Sequence, residues 1–570
     1  MFKQRCFRLL LLASAIATSL SASAYDFESA GIYYNITGDN TVEVTYSDIN
    51  NNTYYSGSIS VPKTVTNNGT EYSVTKIGEY AFQGSAVTSV SMPESITSIG
   101  RYACNECGSL ETVVLPTNLD DFSGWCIFRN CRNLKNIAIP ENVTEIPNGT
   151  FINCSSLAAI TIPQGVSEIG SNAFYGCSSL TSIEIPEGVK YLYEQVFYGC
   201  TALESVKLPQ NLLQIGNYCF DGCSSLESVT IPEGVTTIGD CAFYGCNLNA
   251  LTLPESLTTL GSNAFYSCKS LKTIKIPSGV TTIHYQCFNG CSSLESVTIP
   301  EGVTAIEAYA FGSCNLNALK LPESLTTLGS NAFESCKSLK TIKIPSGVTA
   351  IPDQCFDGCS SLESVTIPEG VTDIGASAFN GCNLNALTLP ESLTTLGGRA
   401  FSGCKNLESV TLSESLTTLG SNAFESCKSL KTIKIPSGVT TIPFRCFYGC
   451  SSLESVTIPE GVTTIREHAF LSCNLKELTL PESLETIGRY AFEDNRSLKS
   501  VNIPAKVKTI ETQAFYGCGL TDLVIPEGVQ AIGSHAFYDN LLENLTLPST
   551  ITSIGNEAFC YNNPLVELKF

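Results

Sequence analysis

The sequence predicts a repeat solenoid, mainly β, with about 22 turns of 22–24 residues, short parallel strands, short helical turns and no long helix. Three observations predict this fold. The 27 residues at 323–349 return letter for letter at 414–440. A proline that follows an apolar residue recurs at the same step over 93–548. A column of phenylalanines recurs with it from Phe82 onward, and Cys104 replaces one ring.

Each turn is expected to contain two short strands and one tight turn. In the turn that begins at Cys336, Ile342 and Ile344 flank an outward Lys343, which is the alternation of a strand. Pro345 ends that strand because proline has no N–H to donate. A second short strand is expected near the "VTTI" motif, and a tight helical turn around the Ala-Phe pair. One turn cannot bury its own apolar face, so stacked turns share one core.

The N-terminus has the pattern of a secretory signal peptide. Lys3, Arg5 and Arg8 precede the apolar run at 9–20, and small residues follow it, so cleavage is expected before Tyr25. The mature protein is therefore predicted to be exported, either secreted or displayed on the cell surface, with the periplasm as an alternative.

Three regions are predicted: the signal peptide at 1–24, an N-terminal β cap at 25–73 and the repeat array at 74–570. The last residues read as one more strand of the ladder. Glu567 and Lys569 are expected either to guard that edge or to leave it for end-to-end self-association.

The charge balance excludes some classes of partner. The 570 residues carry a net charge of −21, and removal of three basic signal residues gives 29 − 53 = −24. Nucleic acids need a basic surface, and so does simple adhesion to anionic membranes. The sequence after the signal contains no long apolar run. We therefore expect neither nucleic-acid binding nor direct membrane insertion.

The repeated motif is Leu-x-x-Ile-x-Ile-Pro-x-x-Val-x-x-Ile-Gly-x-x-Ala-Phe-x-x-Cys, over about 74–570. It resembles the leucine-rich repeat of the BspA-like, Treponema-type surface proteins. Residues 25–46 look like the start of such proteins in the Bacteroides group. The resemblance implies a leucine-rich repeat arc in an exported, often surface-displayed bacterial protein, with adhesion as its expected role.

Eighteen of the 27 cysteines stand in one column, three residues after the Phe position. In late turns Asn495, Asn540 and Asn562 replace cysteine, which predicts an inward ladder that hydrogen-bonds to the backbone. Neighbouring turns are about 4.8 Å apart, whereas disulfide Cβ atoms need about 3.8 Å, so free buried thiols are predicted. Disulfides stay open as an alternative. A zinc site is a weaker one, because the close pair Cys104 and Cys107 lacks two further ligands.

No catalytic constellation is visible. His284, His468 and His535 fall in different turns and cannot converge on one metal or nucleophile. There is no Gly-rich phosphate loop and no nucleophile elbow. Glutamates follow the proline in many turns and form either a solvated row, which we favour, or calcium ligands between turns. No enzyme activity, cofactor or metal is expected.

The outward strand positions form a flat polar strip with almost no aromatic residues, on the face that repeat proteins use for binding. The candidate ligand-binding residues there are Lys275, Lys320, Lys343, Lys434, Thr298 and Thr366. Such a strip suits a protein ligand, and a soluble face without a partner is the alternative. A column of tyrosines directly after the Phe is a second candidate surface, although packing between turns explains it more simply.

We therefore expect an exported, non-enzymatic binding protein that recognises a host or bacterial protein or glycoprotein through its repeat surface. The alternative is a structural or periplasmic spacer that associates with itself and has no dedicated ligand.

Overall fold

The computed structural model describes residues 24–47, 55–564 and 566–569. The predicted signal peptide lies outside these ranges except for its last residue. The N-terminal region contains six strands, β1 to β6, with these bounds: Phe27–Ser29, Ile32–Gly38, Thr41–Thr45, Ser56–Ser60, Thr64–Asn67 and Thr70–Ile77. Five of them form a sheet in the order β1-β2-β3-β6-β5. Strand β6 spans the predicted boundary between cap and array, and it pairs in parallel with Ser98–Ile99 of the first repeat.

The described repeats form a solenoid with three sides. Two of them, side A and side B, consist of short parallel strands, and the third, side C, consists of turns. Side A consists mostly of three-residue strands whose middle residue points inward. Strand β4 of the N-terminal region pairs with the first strand of side A. The bounds of the side A strands are Ala86–Ser91, Thr112–Val114, Asn136–Ile137, Ser182–Glu184, Ser205–Lys207, Ser228–Val229, Thr273–Lys275, Ser296–Thr298, Thr341–Lys343, Ser364–Thr366, Ala386–Thr388, Ser409–Thr411, Thr432–Lys434, Ser455–Thr457, Asp522–Val524, Asn544–Thr546 and Glu567–Lys569.

Side B lies beyond the proline turn and confirms the second predicted strand. Its strands have two residues each, and the second residue is inward in nearly all of them. Their bounds are Ser98–Ile99, Glu145–Ile146, Glu168–Ile169, Tyr191–Leu192, Gln214–Ile215, Thr237–Ile238, Thr259–Leu260, Thr282–Ile283, Ala305–Ile306, Thr327–Leu328, Ala350–Ile351, Asp373–Ile374, Thr395–Leu396, Thr418–Leu419, Thr441–Ile442, Thr464–Ile465, Thr486–Ile487, Thr509–Ile510, Ala531–Ile532 and Ser553–Ile554.

Side C contains the Phe column and consists of linked β-turns, where the sequence predicted a short helical turn. In one repeat, Ala173 N–H donates to Gly170 and Cys177 N–H donates to Phe174, both at 3.2 Å. Asn172 and Gly176 each have a positive φ, 59° and 70°, which a type II turn needs at its third residue. No helix occurs within the described ranges. The mainly β repeat solenoid is otherwise confirmed.

The Phe rings form a stack through the interior that is broken once, at Cys104. From Phe128 to Phe559, neighbouring ring centroids lie 5.1–5.7 Å apart. At the N-terminal end, Tyr55 packs edge-on against Phe82 at 4.9 Å and closes the stack from the cap side. Cys104 interrupts it between those two parts. Because every turn adds the same ring, the core grows by repetition.

The cysteine column is the predicted inward ladder. Each of its eighteen thiols donates a hydrogen bond of 2.9–3.3 Å to the backbone carbonyl at the Phe position one turn earlier. Asn495, Asn540 and Asn562 make the same bond with their side-chain amides at 2.9 Å. Burial raises the pKa of Cys200 to about 12, so such a thiol is protonated and unreactive at neutral pH.

Candidate ligand-binding surfaces

The six residues predicted on the sheet face all lie exposed on side A. Five of them occupy consecutive turns, and the register places Lys275 beside Thr298 and Lys343 beside Thr366. Lys434 lies three turns beyond Thr366. The structure therefore brings these residues into one row along side A.

Three of the four lysines in this row are already paired. Lys275, Lys343 and Lys434 lie 2.5–2.6 Å from a carboxylate of the preceding turn, those of Glu255, Glu323 and Glu414. These glutamates belong to the column after the proline. The lysine hydrogen bonds hold the pKa of all three carboxyls below the usual range. Within the described residues Lys320 forms no ion pair, so it is the free cation of the predicted set.

Other glutamates of that column bind backbone. The Glu187 carboxylate accepts the Gln210 N–H at 2.9 Å, and Glu460 accepts the Glu482 N–H at 3.0 Å. Their oxygens thus tie one proline turn to the next. Among the described residues, no cluster of three or more His, Cys, Asp or Glu side chains is arranged to hold a metal ion.

The three histidines contact carboxylates in separate turns. The partner of His284 is Glu307 at 3.3 Å, and the partner of His535 is Glu557 at 3.2 Å. The tyrosine column forms face-to-face stacks, such as Tyr175 with Tyr198 at 4.7 Å. Stacking covers the ring faces, so these tyrosines pack one turn against the next.

A cluster that the sequence analysis missed lies at the start of side C, and we call it the Trp125 patch. It consists of Tyr80, Arg101, Tyr102 and Trp125 on three successive turns. Tyr80 and Tyr102 are stacked with ring centroids 5.4 Å apart and planes 4° apart. The Arg101 guanidinium lies 5.9 Å from the Tyr80 ring centroid and pairs with Glu79 at 2.9 Å.

The backbone holds the Trp125 patch together. Tyr80 N–H donates to the Arg101 carbonyl at 3.1 Å, and Tyr102 N–H donates to the Trp125 carbonyl at 2.8 Å. Trp125 is the only tryptophan in the sequence, and 57% of it is exposed. The sequence could have indicated this patch, because its one tryptophan stands at a position where other turns carry mostly small or polar residues.

A second aromatic cluster lies on side C near the other end of the array, and we call it the Arg445 patch. Arg445 lies 5.1 Å from the ring centroids of both Phe444 and Tyr448. His468 stacks on Tyr490 at 4.7 Å and meets Phe444 edge-on at 5.8 Å. Partial burial lowers the pKa of His468 despite the nearby Glu467 carboxylate. These rings are less exposed than Trp125.

The comparisons with known proteins agree with this architecture. The family model of the BspA type leucine-rich repeat region matches overlapping segments at 47–157, 124–224, 190–304, 214–340, 281–398, 372–499 and 486–570. The chain belongs to the BspA-type leucine-rich repeat family. The resemblance inferred from the repeated motif is thereby confirmed. No curated protein matches the chain significantly.

Solved structures of bacterial leucine-rich repeat proteins are similar to this BspA-type chain. A leucine-rich repeat protein from Bacteroides ovatus is 30% identical, covers 73% of this chain and 95% of its own, and gives a TM-score of 0.51. A leucine rich cell surface protein from Faecalibacterium prausnitzii is 29% identical over 70% of this chain and 97% of its own, with a TM-score of 0.38. Among the described residues, no helix is long and apolar enough to cross a membrane.

Proposed function

We propose that this BspA-type protein is exported and binds a protein or glycoprotein of a host or neighbouring cell, without enzymatic activity, through the Trp125 patch on side C. The observation that carries the proposal is the exposure of Trp125 on the turn next to Arg101 and the stacked pair of Tyr80 and Tyr102. Trp, Tyr and Arg are the residue types that dominate binding energy at protein interfaces. Because Tyr80 and Tyr102 are already ordered by stacking on each other, these two rings lose little conformational entropy on binding.

The repeat family supports binding over catalysis, because leucine-rich repeats are scaffolds for interaction. The positions of the carboxyl groups with the most raised pKa values also support binding over catalysis. Burial raises the pKa of Asp221 to about 6 and, with a smaller effect of Asp494, that of Glu493 to about 7. These two carboxyls lie twelve turns apart, about 58 Å at the strand spacing. They cannot act on one substrate.

The lysine row of side A is the second candidate surface. Its charges are largely neutralised by Glu255, Glu323 and Glu414, so Lys320 contributes most of any attraction to an acidic partner. Substitution Lys320→Glu should then weaken binding more than Lys343→Glu. Equal affinity of both variants and the unmodified protein would remove side A as the binding face.

A spacer that associates with itself is the second candidate function. It is favoured by three exposed apolar residues at 554–566: Ile554 at 48%, Tyr561 at 64% and Val566 at 88%. A second copy stacked there would cover this apolar surface. Sedimentation of the mature chain across a concentration series tests it: dimers that dissociate on Val566→Glu support the spacer, and a monomer at all concentrations contradicts it.

The binding proposal is tested on a panel of extracellular matrix proteins and mucins at physiological salt. Since Trp125 is the only tryptophan, a true ligand should change its fluorescence on binding. Trp125→Ala should reduce affinity by at least tenfold, as expected for an interface anchor. The matched control is Val524→Ala, which alters a 62% exposed apolar residue on side A and should leave affinity unchanged. Saturable binding with neither a fluorescence change nor an effect of Trp125→Ala would contradict the proposal.

A further inference from the structure

The interruption of the Phe stack is also where two cysteines share one turn. Cys104 occupies the ring position and Cys107 the column position, and both are fully buried. Cys107 N–H donates to the Cys104 carbonyl at 3.2 Å, which closes a β-turn. Other repeats contain the same turn with a ring in it, such as Phe151 and Cys154, joined by the equivalent 3.1 Å bond. Replacement of the ring by Cys104 leaves two thiols on the inner side of one turn.

The geometry of this turn differs from that of the ladder. Column cysteines of neighbouring turns lie in register at the strand spacing of about 4.8 Å, which exceeds the roughly 3.8 Å that the Cβ atoms of a disulfide prefer. Cys104 and Cys107 lie at the first and last positions of a single β-turn, where Cα atoms are within about 7 Å. Disulfides span Cα separations of about 4.4–6.8 Å.

We propose that Cys104 and Cys107 form a disulfide within this turn, as the redox-modified pair in an otherwise reduced ladder. The oxidant is a disulfide, either of a small thiol compound or of a thiol–disulfide exchange protein. One thiolate attacks that disulfide and releases one thiol. The second cysteine thiolate then attacks the mixed disulfide and releases the other. The cysteines lose two electrons and two protons, and the reagent gains them as two thiols.

Oxidation leaves the surrounding hydrogen bonds almost intact. The Cys107 thiol gives up its 2.9 Å bond to the Phe82 carbonyl, but that carbonyl still accepts the Ser85 N–H at 3.0 Å. Cys131 continues to donate to the Cys104 carbonyl at 3.1 Å. No buried polar group therefore loses its last partner, and an exported protein meets the oxidising conditions that such a bond requires.

Other close cysteines in the chain provide an internal control. Cys287 and Cys291 are also fully buried, but they are four residues apart with the Phe288 ring position between them. This pair should stay reduced under conditions that oxidise the turn at 104–107.

The test equilibrates the full mature chain in glutathione redox buffers, starting from both the reduced and the oxidised side. After acid quenching and alkylation, peptide mass spectrometry identifies each cysteine pair. The proposal expects the Cys104–Cys107 peptide to become lighter by two hydrogens in more reducing buffer than any other pair. It is overturned if Cys104 and Cys107 remain alkylated where Cys287 and Cys291 are oxidised, or if Cys107 pairs with Cys131.

A second variant separates this result from a failure to fold. Cys104→Phe restores the residue that other turns carry, so it should fold with an uninterrupted ring stack. It should contain one disulfide fewer than the unmodified protein in the same buffer, with Cys107 as a free thiol. An unchanged number of disulfides in this variant would also overturn the proposal.

Discussion

The side-chain amide of Asn540 donates a 2.9 Å hydrogen bond to the backbone carbonyl of Phe515, one turn earlier. The thiol of Cys518 makes the equivalent bond to Phe492 at 3.2 Å. Asn540 does more than the thiol, because its Oδ1 also accepts the Leu520 N–H at 3.2 Å. In most turns two residues separate the column cysteine from the next leucine, but here Gly519 alone links Cys518 to Leu520. The asparagine thus pairs an N–H that the shorter link leaves without its usual partner.

We expect Asn540→Ala to be more destabilising than Asn540→Cys. Alanine leaves the Phe515 carbonyl without its side-chain donor and the buried Leu520 N–H unpaired, at a cost of about 1–3 kcal/mol for each unsatisfied group. Cysteine restores the donor only. Urea unfolding should give the lowest free energy of unfolding for Asn540→Ala, an intermediate value for Asn540→Cys and the highest for the unmodified protein, while the Leu520 amide should exchange faster in both variants than in the unmodified protein. Equal free energies of unfolding for the two variants would contradict the account.

The converse substitution should stabilise a turn that has a short link and a cysteine. Leu248 follows such a link, and within the described residues its N–H has no hydrogen-bond acceptor, while Cys268 occupies the column position one turn later. Cys268→Asn should add the missing acceptor and stabilise the array by about 1 kcal/mol. Cys200→Asn is the matched control, because the preceding Leu180 N–H already donates to Cys177 at 3.0 Å. Urea unfolding should show a gain for the first variant alone.

The pH dependence of stability should include a contribution from Glu493. Its pKa is raised to about 7 by burial, so the folded state binds a proton more tightly than the unfolded chain. The burial penalty is full above pH 7 and disappears as pH falls through the folded pKa toward the ordinary value of 4.5. Glu493→Gln should therefore raise the melting temperature at pH 8 and change it little at pH 4.5. A pH-independent effect of Glu493→Gln would contradict this origin.

The core could be predicted from sequence because every turn repeats it. The Phe and Cys columns are visible as a period, and the exchange of Cys for Asn indicated a shared hydrogen bond. The conformation of side C could not be predicted in the same way. Its two left-handed residues flank the Phe, and only the one after it is often glycine, such as Gly176. The residue before it varies from Asn172 to Gln195 and His468, all with positive φ, so no residue type marks it.

The candidate surfaces were predicted less well, for two physical reasons. The pairing of Lys343 with Glu323 joins residues 20 positions apart, and this distance follows from how turns stack. The Trp125 patch depends on a tryptophan that occurs once, and a search for repetition passes over it. Repetition in this chain thus marks what every turn needs for packing, whereas a specific binding site depends on the exceptions.

The central claim is that the copied turns are scaffold and that binding depends on the Trp125 patch. Residues 301–368 form one 68-residue block of three turns. Their removal joins Pro300 to Glu369, which recreates the Pro-Glu junction that Pro368 and Glu369 form in the intact chain. The most direct measurement compares this deletion variant with Trp125→Ala for affinity to the panel protein that binds the intact chain. We predict that the deletion variant folds and binds within about twofold, while Trp125→Ala loses at least tenfold. Loss of binding in a folded deletion variant, with Trp125→Ala unaffected, would contradict the account.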